Sequence, residues 1–337
     1  MTPRARILPV FVPHLGCPYQ CVFCNQNRIT GEEKPASAQS VHRLIEQAAS
    51  QGQTSCELAF YGGSFTAIPA EQQEELLAAA KTHLDRGELS SIRLSTRPDA
   101  IDAQVIERLH RFGVGTVELG AQSMAEDVLR RSGRGHTAAQ VAEASILLKN
   151  AGFHLILQMM TGLPGDSREN ALYTARQLAA LAPDGVRIYP TVIVRDTPLY
   201  TLWQRGLYRE HTVEEAVDWC AEIVPVFDSS GIQILRLGLN PTEELSGGAA
   251  AGGAYHPALG EMVRSRILRK QEEQLLTAAN PPAGSRVILG APGSKISQAI
   301  GQHRCNLQWL KERYALRELR ICPAETGTDA VVLLNIE

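Results

Sequence analysis

The sequence predicts an α/β fold. Two observations carry that reading. Short β-rich runs alternate with longer segments whose apolar residues recur at three- and four-residue spacing, and the unusual polar residues gather just after the short runs. Strands are expected at residues 7–12, 57–61, 92–95, 116–120, 155–159 and 186–189. Helices are expected between them at 38–50, 70–84, 103–112, 138–151 and 169–181. Strand–helix alternation implies parallel βαβ units, and six such strands suit an incomplete (βα) barrel or a doubly wound sheet. Tyr61-Gly62-Gly63-Ser64, Ser95-Thr96-Arg97, Gly120-Ala121-Gln122-Ser123, Gln158 and Tyr189-Pro190 all end or follow a strand. Ligand chemistry in α/β architectures collects at that carboxyl edge.

A helix over 213–228 leads to one more strand over 233–239. The Gly/Ala-rich run 247–253 has no strand leading straight into it and no Lys-Ser/Thr closing it, so it reads as a flexible loop or lid, not a phosphate cradle. A helix near 258–276 follows. After it comes a compact unit with a strand at 286–289, helices at 294–300 and 307–314, and a strand at 316–322. The expected domains are a core over 1–240, a Gly-rich loop and basic helical linker over 241–284, and a small α+β domain over 285–337.

Charge follows the same division. Lys and Arg number 33 against 36 Asp and Glu, a net charge of −3, yet residues 263–320 carry 11 of the former and 4 of the latter. An acidic body with a basic tail suits a polyanion partner, the competing reading being a solvated helical face. The 44% hydrophobic, 20% charged composition excludes disorder, collagen-like repeats and coiled coil. No apolar run reaches the ~20 residues a membrane helix needs. The opening is basic, but the apolar stretch after it is short and holds two prolines, so a cytoplasmic protein with no membrane association is expected.

The seven cysteines are unevenly placed. Cys17, Cys21 and Cys24 fall within eight residues, while Cys56, Cys220, Cys305 and Cys322 are scattered, with Cys56, Cys220 and Cys322 read as small buried apolar residues. A structural zinc normally takes four protein ligands, often as two pairs, and no second pair is present. A 4Fe–4S cluster takes one ligand per iron, so three cysteines leave one iron open for a substrate or cofactor. Zinc and unligated thiols are the competing readings.

Cys17-Pro18-Tyr19-Gln20-Cys21-Val22-Phe23-Cys24, with aromatic Phe23 before the third cysteine, resembles the radical S-adenosylmethionine signature. Further stretches are similar to the radical domain of the Elongator catalytic subunit family. These are Ser95-Thr96-Arg97-Pro98-Asp99, Glu118-Leu119-Gly120-Ala121-Gln122-Ser123, Arg134-Gly135-His136-Thr137, Met159-Met160-Thr161-Gly162-Leu163-Pro164-Gly165 and Ile188-Tyr189-Pro190-Thr191. The matches run in order from Cys17 to roughly Glu215. The resemblance implies a partial (βα)6 TIM-like barrel and metal ligands Cys17, Cys21 and Cys24. It also implies S-adenosylmethionine on the open iron, cleaved reductively to a 5′-deoxyadenosyl radical, with a donor such as a flavodoxin or ferredoxin.

It places the remaining cofactor contacts too. Gly62 and Gly63 would bring backbone to the methionyl amine, with Ser64 where relatives carry Glu or Thr. Ser95 or Thr96 would approach the ribose. Gln122 and Gln158 are polar where an apolar strand would continue into the site, and burial without partners would be costly. Coproporphyrinogen oxidases of the oxygen-independent type carry a carboxylate at the position of Gln158. Arg134 would fork onto the methionyl carboxylate, a surface arginine being the alternative. Met159 and Met160 suit core or adenine packing.

In the tail, helix–turn–helix–strand with an Ile-Gly turn resembles a degenerate K-homology module, which clamps nucleic-acid backbone on a Gly-x-x-Gly loop. Gly301-Gln302-His303-Arg304 would be that turn, with Arg304 in place of the second glycine and Lys295 and Lys311 beside it. A structural αβ cap is the competing reading. The chain after Glu215 shows no recognisable acetyl-coenzyme A site, so the family's acetyltransferase domain is not expected. The expected function is a radical enzyme acting on RNA, at a tRNA base. The alternatives are a radical enzyme on a small molecule such as a tetrapyrrole, and a non-catalytic RNA-binding or scaffold protein with a structural cluster.

Overall fold

The computed structural model describes residues 6–12, 19, 21–24, 36–53, 55–240, 245–325 and 330–337. Cys17 lies outside the described residues. Two compact units divide the chain: Met1–Thr212 with Val226–Tyr255, and Val213–Pro225 with His256–Glu337.

In the first unit, β1 (Ile7–Phe11), β2 (Cys56–Tyr61), β3 (Leu89–Thr96), β4 (Val114–Gln122), β5 (His154–Thr161) and β6 (Gly185–Pro190) occupy the expected positions. β7 (Val192–Val194) leaves that sheet, and β8 (Gln233–Leu237) rejoins it. The sheet has seven strands in the order β1-β2-β3-β4-β5-β6-β8, every neighbouring pair parallel. Strand order follows the sequence without reversal, which is barrel winding. A doubly wound sheet needs a point where the order turns back, so that alternative is removed and a partial barrel remains.

The intervening helices are α1 (Ala38–Ser50), α2 (Ala70–Asp85), α3 (Ala103–Arg111), a short unanticipated α4 (Glu126–Arg131), α5 (Ala138–Asn150), α6 (Arg168–Ala180) and α7 (Pro198–Gln204). Side-chain caps set several of their starts. Ser37 and Thr137 form capping boxes with Ser40 and Gln140, and Asp102, Ser167 and Thr197 each accept from the backbone amide three residues on. Strand alternation then sorts the side chains. Leu58, Phe60, Ile92, Leu94, Leu155, Leu157 and Ile188 are buried on one face. At the alternate positions Tyr61, Arg93, Ser95, Gln158, Met160, Arg187 and Tyr189 remain partly exposed on the other.

The Gly/Ala-rich run departs from its expected loop. Ala250–Gly253 forms β9, antiparallel to β7, and Ala249 joins Val192 and Val194 in a small apolar cluster. Side-chain composition hid this strand, because backbone pairing with β7 and not side-chain packing defines it.

The second unit takes α8 (Val213–Ser229) as far as Pro225, where the helix lacks an N–H. The expected linker helix is instead part of this unit: α9 (Leu259–Ala279) buries Leu268 and Leu276 in one core with Val287, Leu289 and Leu310. Arg266 of α9 pairs with Glu214 and Asp218 of α8, and Lys270 with Glu222. Beyond them lie β10 (Arg286–Ala291), α10 (Ile296–Ile300), α11 (Cys305–Arg313), β11 (Glu318–Pro323) and an unanticipated β12 (Val332–Ile336). The sheet order is β11-β10-β12, parallel then antiparallel. No helix among the described residues is long and apolar enough to cross a membrane.

Glu272 of α9 is fully buried, and neither carboxyl oxygen has a hydrogen-bond partner. Burial pushes its pKa from 4.5 up to about 9, against a smaller opposing pull from Arg269. A raised carboxyl pKa means that the folded state keeps a proton the unfolded chain releases. Stability is therefore full below the unfolded pKa and drains as pH rises toward about 9. Glu272→Gln removes that dependence. Between pH 5 and pH 8 the variant should gain about 4 kcal/mol on the wild type, read from denaturant unfolding at both pH values; parallel pH profiles would contradict the assignment.

Candidate active site

The cysteine turn follows β1 and is held by backbone bonds. Cys24 N donates to Cys21 O (3.0 Å), Val22 N to Ser132 O just past α4 (3.0 Å), and Leu199 N in α7 to Val22 O (2.8 Å). Cys21 is buried and Cys24 partly so. Val22 and Phe23 pack on the apolar cluster of Ile193, Leu199 and Tyr208, so the aromatic between the cysteines anchors the turn from its apolar side.

A pair of buried arginines meets this turn. Arg97, 2% exposed, forks onto Asp99 through Nε (2.9 Å) and Nη2 (3.1 Å) and donates to the Arg134 carbonyl (2.6 Å). Its guanidinium carbon also lies 4.6 Å from the Tyr19 ring centroid. Gly135 permits that approach: a Cβ there would sit 2.5 Å from the Tyr19 ring. Arg134, 8% exposed, donates from Nη1 to Cys21 Sγ (3.6 Å) and from Nη2 to the Gly120 carbonyl (2.6 Å). A Cβ at Gly120 would come within 2.7 Å of Arg134 Nη2 and 2.9 Å of Gln122 Nε2. Arg134 Nε is buried with no hydrogen-bond partner. His136 donates from Nε2 to the Ala121 carbonyl (3.1 Å), and burial beside Arg134 and Arg97 pulls its pKa down to about 3, so the ring is neutral.

The strand ends carry the remaining sequence-chosen residues. Gly62 (φ 89°) and Gly63 follow β2, both partly exposed. Ser64 and Thr96 are buried and bonded to each other (3.1 Å); Ser64 also accepts from Arg97 N (3.2 Å), and Thr96 meets Thr66 Oγ1 (2.6 Å). Their hydroxyls thus tie the end of β2 to the end of β3. Gln122 ends β4 in the left-handed region (φ 64°) and accepts from Gln158 Nε2 (3.3 Å). Met159 is fully buried on the packed face, whereas Met160 and Ser95 lie on the partly exposed inner face.

Deeper on that inner face lies a network that the sequence reading missed. Glu118 accepts from Arg93 Nη1 (2.8 Å), Arg187 Nη2 (3.0 Å) and Tyr61 Oη (3.1 Å), while Arg93 Nη2 pairs with Glu57 (2.6 Å). Burial works against charge on Arg187, but Glu118, Tyr189 and Tyr61 together outweigh it and the pKa rises. Burial, reinforced by Glu118, also pushes the Tyr61 phenol up. The available signal was charged residues at alternate positions of central strands, where apolar residues are the norm.

In the second unit, Gly301-Gln302-His303-Arg304 joins α10 to α11, with φ of 79° at Gly301, 51° at His303 and 62° at Arg304. Gly301 is buried, and Gln302, His303, Arg304 and Lys311 are exposed. Lys295 immediately precedes α10 and is partly exposed. Trp309 lies 4.5 Å from the Arg269 guanidinium carbon and 5.5 Å from that of Arg313.

Two cysteines on one turn, one beside a buried guanidinium, are a donor set of the type an iron–sulfur cluster takes. The arginine offsets negative charge that thiolate ligation brings, and the residues present fit such a group.

Comparison with known proteins bears on the family and the fold. Residues 11–178 match the model described as Radical SAM superfamily, and residues 183–269 match the Radical_SAM C-terminal domain. Elongator complex protein 3 of Schizosaccharomyces pombe is 30% identical over 255 residues, 68% of this chain and 47% of that protein. Its Danio rerio counterpart is 31% identical over 208 residues, 55% of this chain and 38% of that protein. The chain therefore spans half or less of the length of these curated relatives. Among solved structures, the archaeal Methanocaldococcus infernus Elp3 with an N-terminal deletion superposes with a TM-score of 0.64 at 23% identity, covering 79% of this chain and 63% of that one. Coproporphyrinogen III oxidase from Escherichia coli gives a TM-score of 0.50 at 18% identity, covering 68% and 54%. These two show a shared fold.

The Glu118 network generates a stability test. Glu118→Gln leaves Arg187 without a carboxylate partner, while Arg93 keeps Glu57, and should cost about 3 kcal/mol in denaturant unfolding. Adding Arg187→Met should restore more than half of that loss; additive losses would show that the two side chains are not coupled.

Proposed function

The chain belongs to the radical S-adenosylmethionine superfamily, and we propose that it is a member that modifies RNA, at a tRNA base. Its cofactors are a 4Fe–4S cluster and S-adenosylmethionine. When bound and reduced, the cluster supplies the electron that cleaves S-adenosylmethionine to methionine and the 5′-deoxyadenosyl radical, which takes a hydrogen atom from substrate. Cys17, Cys21 and Cys24 would hold the cluster and leave one iron open.

The observation that carries the reading is the tie of the Cys21–Cys24 turn to the ends of β3 and β4, through Arg97 on Tyr19 and through Arg134 on Cys21 and the Gly120 carbonyl. Gly62 and Gly63 offer unencumbered backbone for the methionyl amine. Ser95 or Thr96 would approach the ribose. Gln122 and Gln158 already bond each other and together present amide groups to the cofactor, and Met160 offers an apolar surface to the adenine. Phe23 keeps its side of the turn dry by packing on the apolar cluster.

RNA as substrate class is supported by the Elongator names of the relatives, by the basic balance of residues 263–320 and by the exposed turn at Gln302, His303 and Arg304. The buried Gly301 shapes that turn, and Lys295, Arg304 and Lys311 would meet phosphate. A flavodoxin or ferredoxin would supply the electron.

Anaerobic reconstitution, reduction with dithionite and quantification of 5′-deoxyadenosine with and without bulk tRNA test this directly. Cys21→Ala should abolish product, and tRNA should stimulate the wild type. Retention of tRNA should fall steeply with salt, and Arg304→Ala should lower the slope of log affinity against log salt by about 1. Cleavage indifferent to tRNA, with no salt-dependent retention, would point to a small-molecule substrate. An intact cluster without any cleavage would point to a binding protein.

A further inference from the structure

We infer that Arg236 and Tyr189 form a subsite on the inner face of the sheet for a phosphate group of the nucleotide being modified. The inference deepens the RNA reading above and rests on it for the choice of phosphate. Four observations carry it.

The first is placement. A register shift sets Ile234 opposite Val186 but Arg236 opposite Arg187, so Leu235 is passed over. Gln158 is the partner of Arg187 on its other side. Gln158, Arg187 and Arg236 therefore form one row across β5, β6 and β8 on the inner face, and Tyr189 stands one step nearer the carboxyl edge. Two guanidinium groups brought side by side repel each other unless negative charge lies with them.

The second is charge. On this face Arg93 pairs with Glu57 and Glu118, and Arg187 with Glu118, so two cations meet two carboxylates. Arg236 forms no ion pair with a carboxylate among the described residues; its hydrogen bonds go to backbone carbonyls. It brings one positive charge beyond that balance.

The third is fixation. Arg236 donates from Nε to the Gly238 carbonyl (3.0 Å) and from Nη2 to the Leu239 carbonyl (3.0 Å). Gly238 N in turn donates to Ile188 O (2.9 Å), which sets this part of the chain level with Tyr189. The guanidinium head is thereby drawn along β8 toward the carboxyl edge and held there. Nη1 is left over: it makes no hydrogen bond among the described residues, and the side chain is partly exposed.

The fourth is the tyrosine. Tyr189 Oη accepts from Arg187 Nη1 (3.4 Å) and makes no second bond among the described residues, which leaves its O–H to donate outward. An N–H of a fixed cation and a phenolic O–H, with no carboxylate of their own, are a donor set for an oxyanion. Met160, the register partner of Tyr189, and Gln158 are the residues given above to the cofactor. A phosphate held here would therefore keep its own nucleotide beside the cofactor.

The test uses the full chain in wild-type, Arg236→Gln, Arg236→Lys and Tyr189→Phe forms, with two probes. Inorganic phosphate is titrated by phosphorus NMR, and retention of bulk tRNA on a filter is followed over a range of salt. The apparent Kd for phosphate should weaken about tenfold in Arg236→Gln and about threefold in Tyr189→Phe, with Arg236→Lys closer to the wild type. On tRNA, Arg236→Gln should lower the slope of log affinity against log salt by about 1, and combining it with Arg304→Ala should lower it by about 2. A wild type that binds no phosphate, or that binds it as well after Arg236→Gln, would overturn the inference. Acetate displacing phosphate at equal concentration would overturn the phosphate assignment in favour of a small carboxylate. If Arg236→Gln does not fold, Tyr189→Phe decides, since it removes a single oxygen: weakened phosphate binding supports the subsite, and unchanged binding overturns it. Phosphate bound through Arg236 by a protein that retains no tRNA removes the RNA reading and leaves the oxyanion subsite. Tight tRNA retention with a slope indifferent to Arg236 removes the subsite alone.

Discussion

A guanidinium group buried between a strand carbonyl and a cysteine sulfur joins the irregular part of this protein to its regular part. The cysteine turn has almost no secondary structure of its own. Besides its backbone bonds to Ser132 and Leu199, it is held by Arg134, bonded to the Gly120 carbonyl near the end of β4 and to Cys21, together with Arg97, which reaches Tyr19 on one side and the Arg134 carbonyl on the other. Burying two cations this close together is unfavourable unless something offsets their charge. Asp99 does so for Arg97. Arg134 lies against the Cys21 sulfur, which places the electrostatics of the fold and of the site in the same few atoms.

The sheet makes this possible by its order. Because the strands run parallel in chain sequence, all their carboxyl ends point the same way, and every loop that leaves them opens at one edge. Gly62, Thr96, Gln122 and Gln158 come from four different strands and could be neighbours in no other way. The polar inner face also requires compensation. Glu118 supplies it by accepting from Arg93, Arg187 and Tyr61 at once, so three strands share one carboxylate. The layer beneath the strand ends is thus charged in its parts and nearly neutral in sum.

Much of the fold was legible because its signals are local. The strand–helix alternation operates within a few residues, and the elements it announces occupy the expected positions. The misses share a different cause. Ala250–Gly253 forms a strand through its pairing with β7, and neither glycine nor alanine carries a side-chain pattern that reveals it. β12 pairs with a strand more than forty residues earlier in the chain. The helix expected as a linker buries Leu268 and Leu276, and the basic residues around those positions masked an apolar stripe that exists only once β10 and α11 are in place.

The sequence by itself determined the class of chemistry and the parallel α/β architecture, since thiol spacing and hydrophobic period act between residues close in the chain. Tertiary structure alone decided what each polar residue faces. Arg134 meets Cys21, 113 positions away, only in the folded chain. Ser64 and Thr96, 32 positions apart, show their mutual bond only in the folded chain. A side chain's partner depends on folding brought about by the rest of the molecule, and no pattern of near neighbours contains that information.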